Sequence, residues 1–310
     1  MVNNLKEYKN FDISFKHKRS IILIGNFDGI HLGHRKLFLL AKKYKKKFKS
    51  KIGVVTFEPL PKMYFNKKLK NFRISNISQK KKLLKSLGVD FIIEKKFDKK
   101  FSKITPDYFI KNILYKKLQA RFIFVSNNFK FGHKRMGDVR LLIQNENACN
   151  YKIIKPYPLI VDKKVISSSL IRNIIEKGTI KKANKLLSRN WSIEGKVQKG
   201  RQQGKKIGFP TCNIDIQDYV IAKKGVYAVR IFKKNAKTFL KGIANLGFRP
   251  TFKQKKILLE VHIFNFSGNL YNKYLSVEFV KFIRKEKKFI NIKQLGKQIK
   301  KDIQIAKKIK

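Results

Sequence analysis

A short segment near the N-terminus constrains the fold of this chain more than any other feature. The segment Gly25–His34 reads GNFDGIHLGH and follows four apolar residues, Ile21–Ile24. The residues after it, Arg35–Phe48, carry apolar side chains at helical spacing. A strand, a glycine-containing loop and a helix therefore follow one another. Because the first N–H groups of a helix are unpaired and attract anions, this order predicts a buried parallel strand with a phosphate site at its carboxyl end.

Two histidines in this segment, His31 and His34, add chemistry to the predicted phosphate site. Imidazoles can donate to phosphoryl oxygens, and the neighbouring Gly29 and Gly33 let the backbone approach a phosphate closely. The pattern predicts nucleotide binding with electrostatic stabilisation of a pentavalent phosphorus. The alternatives are a metal site or a chance pair of histidines, but zinc needs three or four ligands and the other His and Cys residues are scattered. The segment resembles the H-x-G-H signature of the nucleotidyltransferase superfamily.

Length and composition limit the class of protein. At 310 residues the chain is long enough for two domains, each with its own core. No apolar run approaches the ~20 residues that a membrane span needs. The first eleven residues lack the apolar region of a signal peptide, and the two cysteines, Cys149 and Cys212, are far apart. We therefore expect a cytoplasmic protein without a membrane partner.

The charge is extreme, with 75 basic and 19 acidic residues and a formal net charge of +56. Such a balance usually indicates nucleic acid or an anionic membrane as partner. Here the lysines are spread along the whole chain and accompany an excess of Ile, Asn and Phe, so we interpret the charge as compositional drift and expect no specific nucleic acid. Residues 42–49 (KKYKKKFK) fit a solvated helix face. The alternative, a nucleic-acid-binding protein with a vestigial nucleotide loop, would need clustered basic and aromatic residues.

The first part of the chain alternates strands and helices up to about residue 187, which is typical of a parallel sheet covered by helices. The predicted strands are Ile21–Ile24, Ile52–Phe57, Phe91–Ile93, Phe122–Val125 and Lys152–Lys155. The predicted helices are Gly33–Phe48, Ser78–Leu87, Pro106–Leu118, Asp138–Asn145, Ser168–Lys177 and Ile180–Leu187.

The pattern changes at Trp191 to short alternating segments separated by turn residues, which indicates an antiparallel barrel or sandwich. The predicted strands are Trp191–Gln198, Gly225–Phe232, Thr238–Leu246, Leu258–Phe266 and Leu275–Phe282. The tail from Ile290 to Ile309 returns to helical spacing. We place the domains at residues 1–187 and 188–310.

Three further motifs belong to the first predicted site. Thr56-Phe57-Glu58-Pro59 ends the second strand, and Asn128 follows a later strand, at the edge where ligands bind in open parallel sheets. The run ISSSLIR (166–172) opens a helix with three hydroxyls and places Arg172 one turn in. Hydroxyls and an arginine at a helix start suit a triphosphate. The alternative is simple serine capping of the helix.

Together the stretches GNFDGIHLGH, TFEPLP, SNNFKFGHKRMGD and ISSSLIR resemble the FAD synthetase module of the bacterial bifunctional riboflavin kinase/FAD synthetases. The resemblance implies a Rossmann-like nucleotidyltransferase domain. The family usually has glycine at Ser126, and often an acid at Asn128, threonine at Ser169 and histidine at Leu60. Ser126 is the departure that bears most on packing of the flavin or adenine. The implied nucleotide-binding residues are Gly25, Asn26, Phe27, Asp28, Gly29, Gly33, Asn128, Ser167, Ser168 and Ser169.

A second predicted site lies in the later part of the chain, where residues 200–213 read GRQQGKKIGFPTCN. Three glycines four apart could lay N–H groups over phosphates. Thr211 and Asn213, two residues apart, could face one side of an extended segment and offer oxygen ligands to Mg²⁺. Glu260 lies between apolar residues in LLEVHIF, an unusual place for a carboxylate in a chain with so few. The alternative for Glu260 is an edge-strand residue facing water.

The pattern GxxxGxxxGFPTxN followed by an E-V-H strand resembles the riboflavin kinase domain of the same family, and with GVYAV, ANLGFRPTF and LEVHIFNFSGNLY the resemblance spans residues 18 to 307. It implies a kinase that makes FMN from riboflavin and ATP, with Glu260 as general base and Mg²⁺ on Thr211 and Asn213. It further implies adenylyl transfer from a second ATP to FMN, giving FAD, with His31, His34 and Arg172 stabilising the transferring group. A member that keeps only one activity is the alternative. The remaining implied nucleotide-binding residues are Gly200, Gly204, Gly208, Phe209 and Pro210.

Overall fold

The computed structural model describes residues 5–199, 204, 207–234, 236–250 and 255–309. The backbone packs as two compact units, which we call the N-terminal unit (Met1–Lys70 and Ile77–Ser167) and the C-terminal unit (Asn71–Asn76 and Ser168–Lys310). The division by packing thus lies at Ser167/Ser168, whereas the sequence indicated a change after residue 187. It also assigns a six-residue segment, Asn71–Asn76, to the later unit.

A six-stranded parallel sheet forms the centre of the N-terminal unit, as the alternation of strands and helices predicts. The strands run in the order β1-β4-β3-β2-β5-β8, and every neighbouring pair is parallel. The chain moves from β2 outward to β3 and later returns to β5 on the other side of β2, so the two directions of winding meet between β2 and β5. Ligands bind at such a switch point, outside the carboxyl ends of the strands. The strands of the unit, including two small hairpins, are β1 (Lys6–Tyr8), β2 (Ile21–Ile24), β3 (Ile52–Glu58), β4 (Phe91–Lys96), β5 (Phe122–Phe124), β6 (Lys130–Phe131), β7 (Gly137–Asp138), β8 (Lys152–Ile154), β9 (Ile160–Val161) and β10 (Lys164–Val165).

Helices cover both faces of this sheet, and β2 shows why. Ile22 and Ile24 point into one core and Ile21 and Leu23 into the other, so all four residues are buried. Such a strand needs an apolar layer on each side. The α-helices of the unit are α1 (Leu32–Phe48), α2 (Pro61–Phe65), α3 (Ile77–Ser86), α4 (Lys99–Ser102), α5 (Pro106–Tyr108) and α6 (Val139–Gln144).

One predicted helix differs from its expected form. The sequence predicts an α-helix over Pro106–Leu118, but only α5 is α-helical and the chain continues as a π-helix over Phe109–Lys117. At its end the Leu118 N–H donates to the Ile113 carbonyl, five residues earlier, at 2.9 Å. The wider turn places four apolar side chains in one core cluster, namely Phe109, Ile110, Ile113 and Leu114.

The C-terminal unit begins with two helices and then forms a closed barrel of six antiparallel strands in the order β11-β12-β15-β14-β13-β16. Pairing of β11 with β16 closes the barrel. This confirms the antiparallel barrel; the strand β12 is an addition, because four residues are too few to show a period. The elements are α7 (Ser168–Glu176), α8 (Ile180–Leu187), β11 (Trp191–Gln198), β12 (Cys212–Asp215), β13 (Gly225–Lys233), β14 (Leu240–Pro250), β15 (Lys255–Ile263), β16 (Tyr274–Arg284) and α9 (Ile292–Lys307).

The terminal helix α9 packs on the barrel through Ala306 and the partly buried Ile299 and Ile303. A buried ion pair adds to this contact: Asp302, 1% exposed, accepts from the guanidinium of Arg284 at 2.7 Å. No helix among the described residues is long and apolar enough to cross a membrane.

The segment Asn71–Asn76 joins the C-terminal unit by backbone pairing. Arg73 forms a parallel bridge with Tyr219, and the indole N–H of Trp191 donates to the Ile74 carbonyl at 2.9 Å. Periodicity could not predict this exchange, because the segment is short and its hydrogen bonds reach more than a hundred residues along the chain.

Candidate active sites

The loop between β2 and α1 lies at the carboxyl end of the central strand, where the sequence predicted a phosphate site. The Gly25 N–H donates to the Val55 carbonyl at 3.1 Å, which ties the start of the loop to β3. Phe27 and Ile30 have φ values of +47° and +39°, and both are buried. Non-glycine residues in this region cost free energy and occur at functional sites, where the surrounding packing holds them.

The two histidines form a stacked pair at the start of α1, with ring centroids 3.7 Å apart. His31 is the N-cap residue, and its Nδ1 accepts the His34 N–H at 3.4 Å. In a neutral His31 ring the proton then resides on Nε2, so that this nitrogen is the donor of the ring. Burial, followed by the neighbouring His31, lowers the pKa of His34 well below its usual 6.5. His34 is therefore neutral at pH 7.

An orphaned atom supports anion binding at this pair. The Nδ1 of His34 is buried and has no hydrogen-bond partner in the described part of the chain. A buried polar atom without a partner is costly, and a phosphoryl oxygen would satisfy it if Nδ1 carries the proton.

The loop also approaches the predicted serine run. A side chain at Gly33 would lie 3.2 Å from the His31 ring and 3.5 Å from the Ile166 carbonyl oxygen. Glycine therefore permits the contact between the start of α1 and the residue before Ser167. At the end of β5, the Ser126 hydroxyl donates to Asn128 Oδ1 at 2.9 Å, and both residues are exposed.

The rest of the ISSSLIR run belongs to the C-terminal unit, as the first residues of α7. Arg172 is buried, its guanidinium lies 3.7 Å from the centre of the Phe72 ring, and its Nε donates to the Phe72 carbonyl at 2.7 Å. Ser168 is half-buried and Ser169 exposed. The boundary between the units thus falls within the serine run: Ser167 belongs to the N-terminal unit, and Ser168, Ser169 and Arg172 belong to the C-terminal unit.

Sequence reasoning missed a residue beneath the β2–α1 loop. Lys80 of α3 is buried, and its Nζ donates to Thr56 Oγ1 at 3.2 Å and to the Asn26 carbonyl at 3.4 Å. Lys80 is the first of three consecutive lysines in a lysine-rich chain, so the sequence carries no signal that would single it out.

The second predicted site is assembled on the barrel. In the antiparallel pairing, Glu260 of β15 lies directly opposite Asn213 of β12 on one side and Asn245 of β14 on the other. Paired residues in a sheet project from the same face, so two amide side chains flank the carboxylate. Cys212, between the two predicted metal ligands, pairs with Val261 on the opposite face, and burial raises the pKa of its thiol to about 11. Cys212 therefore stays a thiol at neutral pH.

The turn before β12 is held by close backbone contacts. The Phe209 N–H donates to the Gly204 carbonyl at 2.8 Å, and a side chain at Gly204 would collide with the Phe209 carbonyl oxygen. His262 Nδ1 lies 2.9 Å from the Pro210 carbonyl, and its ring meets the Phe209 ring edge-on. Sequence reasoning missed His262, although a residue two positions after Glu260 in a strand lies on the same face of the sheet as Glu260. Gly208 has a φ of +81°, and Gly200 lies outside the described residues.

Two residues that follow this turn, Thr211 and, in β12, Asn213, fit Mg²⁺ carried by a nucleotide. Asn213 is buried, and its Oδ1 has no hydrogen-bond partner in the described part of the chain. Amide and hydroxyl oxygens, such as those of Asn213 and Thr211, suit a hard cation that keeps waters and phosphates as its other ligands. Among the described residues no cluster of three or more His, Cys, Asp or Glu could hold a metal by itself.

Comparison with known proteins matches both halves of the chain. A family model described as FAD synthetase matches residues 14–170, and one described as riboflavin kinase matches residues 187–310. The bifunctional riboflavin kinase/FMN adenylyltransferase of Buchnera aphidicola subsp. Schizaphis graminum is 39% identical, with 99% of this chain and 96% of the relative covered. The relative of the same name from Haemophilus influenzae is 36% identical, with 92% of each chain covered. The chain belongs to this family.

Membership of the bifunctional riboflavin kinase/FMN adenylyltransferase family confirms the resemblance that the motifs predicted. A solved structure with the same fold carries another name, a macrolide-efflux protein from Streptococcus pneumoniae. It has a TM-score of 0.86 and 29% sequence identity, and 98% of this chain and 99% of that chain are covered. The fold is shared.

Proposed function

We propose that this member of the family phosphorylates riboflavin to FMN with ATP and then transfers the adenylyl group of a second ATP to FMN, giving FAD and pyrophosphate. The observation that carries the proposal is the match of two family models to successive parts of one chain. The two sets of polar residues described above, on the β2–α1 loop and on the barrel, support one reaction each. They argue against a member with a single remaining activity.

In the kinase reaction Glu260 takes the proton of the riboflavin 5′-hydroxyl as general base. The oxygen attacks the γ-phosphorus of ATP, and ADP leaves. Asn213 and Asn245, opposite Glu260 in the sheet, orient the carboxylate and the hydroxyl. Thr211 and Asn213 would hold Mg²⁺, which neutralises phosphate charge when bound. Gly204, Gly208, Phe209 and Pro210 form the turn over the nucleotide, and His262 fixes that turn through the Pro210 carbonyl. Gly200 is a further nucleotide-binding residue of the proposal.

In the adenylyl transfer a phosphate oxygen of FMN attacks the α-phosphorus of ATP, and pyrophosphate leaves. The nucleophile is already an anion, so the site needs no general base and acts by positioning and charge stabilisation. His31 donates through Nε2–H and the neutral His34 through its ring N–H, while Arg172 contributes a cation. The Ser126 hydroxyl occupies Asn128 Oδ1, which leaves the amide nitrogen of Asn128 as a donor. The further nucleotide-binding residues are Gly25, Asn26, Phe27, Asp28, Gly29, Gly33, Ser167, Ser168 and Ser169.

Residues 1–187 form the adenylyltransferase and residues 188–310 the kinase in this proposal. We place the enzyme in the cytoplasm without a specific nucleic-acid partner. Two buried free thiols, Cys149 and Cys212, support a reducing compartment. Burial raises the pKa of both thiols, so neither is a reactive thiolate at neutral pH.

Coupled assays with purified protein test both activities. The wild type should form FMN from riboflavin and ATP, and FAD from FMN and ATP. Glu260→Gln should abolish the first reaction and leave FAD formation from supplied FMN nearly intact. His34→Ala should spare FMN formation and slow FAD formation by about 10²-fold, as for loss of one stabilising donor.

Each variant is the control for the other, because both carry one intact site. If both variants, while folded, lost the two activities to the same extent, the assignment of one reaction to each site would be wrong. Absence of either product with the wild type would refute the corresponding activity.

A further inference from the structure

A buried lysine lies beneath the loop that carries the histidine pair. Lys80 is 2% exposed, although lysine is almost never buried without a specific reason. The next residues of α3 behave differently: Lys82 is exposed, and Lys81 forms ion pairs with Glu7 at 2.7 Å and Glu94 at 3.4 Å. One lysine of three consecutive lysines therefore turns inward.

The Lys80 ammonium completes a triangle of hydrogen bonds. It donates to Thr56 Oγ1 at 3.2 Å and to the Asn26 carbonyl at 3.4 Å, and the Thr56 hydroxyl itself donates to the Asn26 carbonyl at 3.3 Å. Thr56 is fully buried near the carboxyl end of β3. The triangle thus joins α3, β3 and the second residue of the β2–α1 loop.

The triangle fixes the orientation of the loop backbone. In a trans peptide the C=O and the following N–H point in opposite directions. Holding the Asn26 carbonyl toward Lys80 turns the Phe27 N–H away from the core. The next residue to be constrained is Phe27 itself, which has a positive φ and whose ring packs against His34 with centroids 5.2 Å apart.

Burial of an ammonium is unfavourable, so the need to hold a loop does not by itself explain a lysine at this position. A neutral side chain would serve packing alone. A buried cation also stabilises the negative charge of a substrate phosphate bound at the loop, because charges interact more strongly where water is excluded.

We propose that Lys80 is a positioning residue for adenylyl transfer, acting through Asn26 and Thr56 on the loop that carries His31 and His34. This inference rests on the proposed adenylyltransferase function.

Steady-state kinetics of FAD formation from FMN and ATP test it in the full chain. Lys80→Met should lower kcat by about 10²-fold, the effect of a displacement of about 1 Å at a reacting centre, with KM for FMN nearly unchanged. Riboflavin phosphorylation by the same chain should keep its rate. Lys81→Met is the matched control: it breaks ion pairs of the same helix and should lower the melting temperature without lowering kcat.

A pair of substitutions at Thr56 covers the case in which Lys80→Met does not fold. Thr56→Ser keeps the hydroxyl and should keep kcat within about threefold of the wild type. Thr56→Val removes the hydroxyl but keeps the shape of the side chain, and should lower kcat by about 10-fold, which corresponds to about 1.4 kcal/mol. Equal kcat values for Thr56→Val, Thr56→Ser and the wild type would overturn the inference. So would a wild-type kcat in folded Lys80→Met, or an equal loss in Lys81→Met.

The same series separates this inference from the proposed function. If the wild type forms FAD and His34→Ala does so slowly while Lys80→Met matches the wild type, only the role of Lys80 fails. If the wild type forms no FAD, the adenylyltransferase proposal fails and the role of Lys80 with it.

Discussion

His31 combines two tasks that a pair of substitutions can separate. Its Nδ1 caps α1 by accepting the His34 N–H, and its ring stacks on His34. Its Nε2–H is the proposed phosphate donor. His31→Ala removes the cap, the stacking and the donor. His31→Asn keeps an N-cap acceptor, since asparagine is among the best N-cap residues, and removes only the stacking and the donor.

The structure sets the expected magnitudes. The cap is long, at 3.4 Å, so its loss should cost about 0.5–1 kcal/mol, at the low end for N-caps. Loss of the ring stacking adds about 0.5–1.5 kcal/mol. His31→Ala should therefore lower the free energy of unfolding by about 1–2.5 kcal/mol, or the melting temperature by about 2–10 °C, and His31→Asn by the stacking part alone. Both should slow adenylyl transfer by about 10²–10³-fold, the cost of one lost donor at a transition state.

The assay measures FAD formation from FMN and ATP beside FMN formation from riboflavin and ATP, with thermal unfolding of each variant. Equal and large losses of adenylyl transfer in two variants of unequal stability would support the donor role. A wild-type rate in His31→Asn would refute it and leave His31 as a helix cap. FMN formation should not change in either variant.

Two further predictions concern stability. Asp302→Asn should lower the free energy of unfolding of the C-terminal unit by about 3–5 kcal/mol, because it leaves the Arg284 guanidinium without its buried carboxylate. Urea unfolding followed by Trp191 fluorescence measures this loss, with the exposed Lys301→Met as control. A loss of stability below about 0.5 kcal/mol would contradict the prediction. Burial lowers the pKa of His17 and His34, so below about pH 6.5 the unfolded chain binds protons that the folded chain does not, and stability should fall from pH 7 to pH 5 by at most about 1.4 kcal/mol per pH unit for each residue. Urea unfolding over this pH range should give a smaller slope for the His17→Gln/His34→Gln double variant, and an unchanged slope would show that other groups carry the effect.

Most of the architecture could be predicted from the sequence because its elements are long and periodic. The strand Ile21–Ile24 is apolar on both faces and therefore had to lie inside a parallel sheet. The elements that the sequence did not predict are short or depend on tertiary contacts. The strand β1 has three residues, and the segment Asn71–Asn76 pairs with residues far along the chain. Local pattern carries no information on such contacts.

The candidate sites likewise combine residues that the sequence predicted with properties that only the structure shows. Residues in spaced motifs, such as His31, His34 and Asn213, could be chosen because the spacing itself indicates chemistry. The structure adds what spacing cannot give: the depressed pKa of His34, the orphaned Oδ1 of Asn213 and the pairing of Glu260 between two asparagines. Arg172 shows the limit of this reasoning, because its contact with Phe72 depends on a segment that no motif contains.

The extreme charge determines which functional residues of this chain can be predicted from its sequence. With 19 acidic residues against 75 basic ones, a carboxylate in an apolar strand, such as Glu260, is informative by its rarity. Several acidic residues make structural contacts. Asp302 forms the ion pair that holds the terminal helix, Asp90 accepts hydrogen bonds from Lys45 and from the Ile52 N–H, and Glu94 forms ion pairs with Lys9 and Lys81. A lysine carries no such information, because 75 of the 310 residues are basic and they are spread along the whole chain. A lysine with a specific role, as we infer for Lys80, can be recognised only by the burial and the contacts that the fold gives it.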